Sequence, residues 1–108
     1  MALISAPAGL SHSGVRSTTP KAGSVVRALP ATVAMIFGDR LLRVISVQVR
    51  DSTGRDHAVG ARLNPRDAAM VLVRTRRPVA GRYTVTWKVQ SEDGHSAAGT
   101  FTFRVRGS

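Results

Sequence analysis

The sequence predicts an all-β fold, an immunoglobulin-like Greek-key β-sandwich of about seven strands. Apolar and polar residues alternate over several short stretches, which is the period of strands half-buried in a sheet. Residues typical of turns separate these stretches. No stretch has a helical period long enough for the crossover that parallel strands need, so antiparallel sheets are favoured. The length of 108 residues suits one core.

Four stretches define the predicted strands most clearly. In chain order, the residues expected to face the core are Val33, Met35, Phe37; Ile45, Val47, Val49; Tyr83, Val85, Trp87, Val89; and Phe101, Phe103, Val105. Residues 70–73 form a shorter candidate strand whose inward face the pattern does not decide. The one helix-like run, near Arg66 to Ala69, is too short to define a helix. Turn residues occupy positions 20–23, 51–54, 64–65 and 78–81.

The charge of the chain is strongly positive. Sixteen Lys and Arg residues against six Asp and Glu give a net charge of +10, and arginine supplies 14 of the basic residues. Such a charge attracts polyanions. However, only Arg74, Arg76 and Arg77 cluster in the sequence, and the aromatic residues sit at inward strand positions, where they cannot stack on bases. We expect an arginine-rich solvated surface and no nucleic-acid binding.

Composition also limits the chemistry. The chain has no cysteine, so disulfides and thiolate metal sites are excluded, and a metal would need histidine, carboxylate, amine or backbone ligands. No apolar run approaches the ~18 residues of a membrane span. Ser91, Asp93 and His95 are the residue types of a hydrolytic triad, but they crowd into one turn, where the required chain of hydrogen bonds cannot form. We expect no enzymatic activity.

The first eleven residues resemble the end of a secretory leader. They are apolar and rich in small residues, with an A-x-A-like region at Ala6 to Ala8. They lack a basic n-region and are too short for a full h-region. We interpret residues 1–11 as a truncated leader, with a flexible tail as the alternative, and residues 12–108 as one domain.

The segment SEDGHS at 91–96 raises a specific question. Asp93-Gly94 between two alternating apolar runs is a strong hairpin signal, because glycine accepts the positive φ of a tight turn. Local sequence therefore favours a plain turn. His95 is the residue that such a turn does not need, and it leaves a functional site as the alternative.

Three segments together resemble the CopC family of extracytoplasmic copper-binding proteins. They are HSGVRSTTPKAGS at 12–24, AMIFGDRL at 34–41, and GRYTVTWKVQSEDGHSAAGTFTFRV at 81–105. The most specific parts are the histidine eight residues before Pro20 and the S-x-D-G-H turn after a tryptophan-bearing strand. The resemblance covers roughly residues 12 to 106.

The resemblance implies a small Greek-key β-sandwich that holds one Cu(II) ion near its mature N-terminus. The implied ligands are His12, Asp93 and His95. Asp39, in the GDR segment, is either an outer carboxylate of this site or an ordinary loop residue. The family further implies a periplasmic or extracellular location, a CopD-like membrane copper transporter as partner, and a monomer.

The chemistry of these residues supports a metal site over a plain turn. Cu(II) prefers tetragonal nitrogen and oxygen ligands. A first-residue histidine offers an amine and an imidazole, His95 adds a nitrogen, and Asp93 adds an oxygen that offsets the charge of the metal. No Cu(I) site is expected, because Met1, Met35 and Met70 do not cluster in the sequence.

His57, in GRDHAVG, is interpreted as a lone surface histidine. The alternative function is an immunoglobulin-like interaction module with a degenerate metal site, whose basic surface binds an anionic partner.

Overall fold

The computed structural model of the protein describes residues 14–107, which form two four-stranded sheets. The strands are β1 (Val15–Thr19), β2 (Val25–Val26), β3 (Thr32–Phe37), β4 (Leu41–Arg50), β5 (Ala58–Asn64), β6 (Asp67–Thr75), β7 (Gly81–Ser91) and β8 (Ser96–Val105). One sheet has the order β1-β3-β6-β5 and the other β2-β8-β7-β4. Neighbours are antiparallel except β2, which lies parallel to β8. Within the described residues, no helix is long and apolar enough to cross a membrane.

The core lies between the two sheets and is built from the predicted apolar faces. Phe37 of β3 meets Trp87 of β7 edge to face, with ring centroids 5.1 Å apart. Tyr83 stacks on Phe103 at 5.4 Å. Phe101 is half-buried and packs against the same cluster. The predicted all-β sandwich is confirmed, with eight strands where the sequence predicts about seven. The additional short strand β2 has only two residues, too few to show a period.

The predicted inward face of β4, given by Ile45, Val47 and Val49, is wrong in part. Val49 is fully buried as expected, but Ile45 is 44% exposed. The pairing of β4 with β7 shifts register between Val44 and Ser46, and Val44 packs against the core instead. A bulge of this kind moves the following side chains to the other face of the sheet.

The helix-like run near Arg66 to Ala69 is not helical. It forms the β5–β6 turn and the beginning of β6, whose buried residues are Val71 and Val73. The Asn64 side chain accepts the N–H of Arg66 at 2.9 Å, and the Asp67 carboxylate accepts the N–H of Ala69 at 3.0 Å. Such side-chain hydrogen bonds to the backbone favour turns over helices.

His57 is not the surface histidine that the sequence predicts. His57 is 2% exposed, and its ring lies edge to face with the ring of Tyr83, with 5.2 Å between the ring centroids. Nε2 lies 2.7 Å from Asp51 Oδ2, and Nδ1 lies 2.9 Å from the carbonyl oxygen of Arg76. The β4–β5 loop folds back on itself through this pair, which buries the histidine.

Candidate metal centre

The segment 91–96 is the tight turn between β7 and β8, as the Asp-Gly pair predicts. The N–H of Ser91 donates to the carbonyl of His95 at 2.8 Å, and the N–H of Gly94 donates to the carbonyl of Ser91 at 2.9 Å. Gly94 has φ +94°, a conformation that other L-residues adopt at a cost. This turn fixes the backbone positions of Asp93 and His95.

Asp93 and His95 form a contact pair at the tip of the turn. Asp93 Oδ2 lies 3.1 Å from His95 Nδ1. Asp93 Oδ1 accepts a hydrogen bond from the Ser91 hydroxyl and a second, at 3.1 Å, from the N–H of His95. Their side chains are 68% and 87% exposed, so both are open to a ligand arriving from solvent.

The hydrogen bonds to Asp93 keep it ionised. The Ser91 hydroxyl, followed by the backbone and side chain of His95, lowers the pKa of the Asp93 carboxyl well below its usual range. Within residues 14–107, His95 Nε2 has no hydrogen-bond partner. A histidine whose Nδ1–H donates to a carboxylate presents Nε2 in the form that coordinates metals.

A cavity of about 260 Å³ lies beside this pair. Asp39, from the β3–β4 loop, lines the cavity together with Asp93 and His95, although it makes no direct hydrogen bond to either. Gly14, the first described residue, lines the same cavity. The structure therefore brings three of the predicted side chains and the beginning of β1 to one end of the sandwich.

The donor set at this end suits a borderline or hard cation. It offers an imidazole nitrogen and an ionised carboxylate, which are ligands that Cu(II) accepts. Within the described part of the chain, no group of three or more histidine, cysteine or acidic residues is placed to hold a metal ion. His12, the remaining predicted ligand, lies outside the described residues, so its role stays a prediction.

Sequence reasoning did not identify the part played by Ser91. Ser91 orients Asp93, and the serine two residues before the aspartate is the signal that could have shown it. Glu92 is exposed, and its carboxylate lies 3.3 Å from Arg40 Nε. This surface ion pair with Arg40 occupies the carboxylate of Glu92, so Glu92 is not among the candidate ligands.

Comparisons with known proteins identify the family and the fold of this chain. Residues 15–106 match the family model of the CopC domain. The chain is 30% identical, over 90% of its length and 83% of the relative's, to copper resistance protein C of Escherichia coli.

Two solved structures share the fold. CopC from Methylosinus trichosporium OB3b is 28% identical with a TM-score of 0.77, covering 87% of this chain and 93% of that one. PcoC, a methionine-rich copper resistance protein from Escherichia coli, is 24% identical with a TM-score of 0.73, covering 86% and 97%. With a family model that spans nearly all of the described residues, this chain belongs to the CopC family of copper resistance proteins.

Proposed function

We propose that the protein binds one Cu(II) ion through His12, Asp93 and His95 outside the cytoplasm, in the periplasm or beyond. The ion is sequestered there, or handed as cargo to a CopD-like membrane transporter, and the protein acts as a monomer. The observation that supports this most is that Gly14 lines the same cavity as Asp93 and His95. One residue, Ser13, separates His12 from Gly14 in the sequence.

The beginning of β1 is held beside the cavity. The N–H of Gly38 donates to the carbonyl of Gly14, and a Cβ built on Gly14 would lie 3.4 Å from the Phe37 ring. Two extended residues span at most about 7 Å. The proposal requires the imidazole of His12 to reach the pair formed by Asp93 and His95 from this position.

Charge at this end also favours a cation. The protein carries +10 overall, yet two carboxylates, Asp39 and Asp93, line this cavity. Oδ1 of Asp93 is held by Ser91 and by the backbone of His95, so Oδ2 is the oxygen that binds the metal, and it gives up its contact with His95 Nδ1 when it does so. Asp39 supplies negative charge near the ion without direct coordination.

The proposal is tested by two chains that differ only in their start. If the first residue is His12, its amine is a ligand, and copper displaces the proton of an amine with a pKa near 8. In the chain that starts at Met1, the backbone nitrogen of His12 is a peptide N–H, which is a poorer ligand. Cu(II) titrations followed by electron paramagnetic resonance should show tighter binding and an additional nitrogen coupling for the chain starting at His12. Identical affinities and couplings would show that the amine is not a ligand.

A second prediction concerns oxidation state. Met35 is fully buried, and Met70 Sδ accepts a hydrogen bond from Asn64 Nδ2 at 3.3 Å. Because carboxylate and amine ligands suit Cu(I) poorly, reduction should weaken retention of the metal. Competition titrations with a Cu(I) chelator check this, and replacing Met35 and Met70 by leucine should change neither affinity. If Cu(I) binds as tightly as Cu(II) in that double variant, either the histidines alone hold Cu(I) or a further soft-ion site exists.

A further inference from the structure

A second cavity, of about 250 Å³, lies at the other end of β4 from the candidate metal centre. Three arginines from two loops line it, together with Asp56 and His57. Arg55 belongs to the β4–β5 loop, and Arg76 and Arg77 follow β6. We call this cavity the arginine pocket. All three arginine residues are exposed.

The acidic residues nearest to the arginine pocket do not neutralise these arginines. Oδ1 of Asp56 accepts the N–H groups of Val49 at 2.9 Å and Ala58 at 3.0 Å. Asp51, behind His57, is occupied by that imidazole and by the backbone and side chain of its own turn. Within residues 14–107, the one arginine that lies within 4 Å of a carboxylate is Arg40, at the metal end.

The two loops that carry the arginines are fastened to each other through His57. Its N–H donates to the carbonyl of Val49 at 2.8 Å, and its carbonyl accepts the N–H of Arg76 at 3.1 Å. Its Nδ1 donates to the carbonyl of Arg76 at 2.9 Å. The backbones of Arg55 and Arg76 are therefore held in a fixed relation. A site assembled in advance loses less entropy when it binds a ligand.

Arg77 has an unusual backbone. Its φ is +60°, and it is the only residue other than glycine with positive φ in residues 14–107. This conformation costs an L-residue on the order of 1–2 kcal/mol. Strained residues that are kept in a fold are concentrated at functional sites.

We propose that the arginine pocket binds a phosphate group. Three guanidinium groups against the carboxylate of Asp56 leave two positive charges in excess, which matches a dianion. The planar fork of a guanidinium donates two parallel hydrogen bonds to phosphate oxygens. The positive charge of His57 is offset by the negative charge of Asp51, so this pair adds nothing to the excess. Its hydrogen bonds hold the two loops together. The phosphate group is supplied by inorganic phosphate or by a lipid headgroup.

The test is a titration of the whole chain with sodium phosphate, followed by amide NMR at constant ionic strength with chloride as the reference anion. Amides of Arg55, Arg76 and Arg77 should shift and saturate with phosphate and not with chloride. Combining Arg76→Gln with Arg77→Gln should weaken phosphate binding by at least about tenfold. No saturable shift, or equal shifts with chloride, would overturn the proposal.

A matched control separates a site from net charge. Arg62→Gln with Arg66→Gln removes the same charge on β5 and its turn, away from the arginine pocket. It should leave phosphate affinity within about twofold, since screened charges act weakly beyond a Debye length of roughly 10 Å. Equal weakening in the two double variants would show general electrostatic attraction and overturn the proposal.

Vesicles distinguish the two sources of phosphate. If a lipid headgroup is the ligand, vesicles containing phosphatidate should retain the protein, and the Arg76 and Arg77 double variant should lose retention. If phosphatidate vesicles retain no more protein than phosphatidylserine vesicles of equal charge, and the phosphate titration saturates, the ligand of the arginine pocket is free phosphate. Cu(II) affinity should be unchanged throughout, which keeps this test independent of the proposed copper site.

Discussion

Replacing His95 with alanine is expected to weaken Cu(II) binding by more than about 100-fold, beyond the 10–100-fold typical of losing an outer partner of a metal site. The substitution removes an exposed imidazole whose Nε2 has no partner among the described residues. The remaining histidine of the described chain, His57, is buried and uses both ring nitrogens, so it cannot substitute. A competition titration of the chain starting at His12 measures the loss.

The control for this prediction belongs in the same turn. Glu92→Gln removes a negative charge one residue from Asp93, but Glu92 faces Arg40, so copper affinity should stay within about threefold because exposed charges are screened by solvent. His57→Ala is a poor control because it removes a buried group of the fold. Comparable losses for His95→Ala and Glu92→Gln would mean that any change in this turn weakens binding, and would contradict the role of His95 as a ligand.

Much of the fold follows from the period of two in the sequence. The alternation in Tyr83, Val85, Trp87 and Val89 correctly identifies four buried residues of β7. The same pattern fails at Ile45, because a bulge adds a residue that only the pairing with β7 defines. Periodicity describes one strand at a time, and a change of register belongs to two strands.

The candidate metal centre also combines features that local sequence predicts with features that depend on distant residues. Asp93-Gly94 predicts its own turn, because the signal and the hydrogen bonds lie within five residues. Asp39 comes to the same cavity through the path of the β3–β4 loop, which local sequence does not define, and here the family resemblance supplied the expectation. His57 was placed wrongly because its second partner, the carbonyl of Arg76, is 19 residues away.

The contacts of His57 determine its protonation state. One ring nitrogen faces the carbonyl of Arg76 and the other faces the Asp51 carboxylate, and both oxygens can only accept hydrogen bonds. Both nitrogens must therefore carry a proton, and the ring is an imidazolium ion. Burial alone would lower the pKa of His57, but the hydrogen bonds to Asp51 and Arg76 outweigh it and raise the pKa. Hydrogen bonds from His57 and Thr53 lower the pKa of Asp51.

Replacing His57 with phenylalanine is expected to destabilise the fold by on the order of 3 kcal/mol near pH 6, the range for removing one partner of a buried ion pair. Phenylalanine keeps a ring against Tyr83, which makes the loss one of hydrogen bonds and charge more than of volume. Urea unfolding followed by the fluorescence of Trp87 gives the free energy of unfolding. His95→Phe, the same change at an exposed site, should alter stability by less than about 0.5 kcal/mol.

The stability difference between the natural chain and His57→Phe should depend on pH in a definite direction. Because the folded pKa of His57 is raised, its contribution is complete below the unfolded value of about 6.5 and declines as pH rises through the higher folded value. Because the folded pKa of Asp51 is lowered, its contribution is complete above about 3.9 and declines as pH falls through the lower folded value. The difference should therefore be largest between about pH 4 and 6.5 and shrink on either side. A difference that grows as pH rises above 7 would mean that His57 is neutral in the folded protein and that one of its two hydrogen bonds is not made.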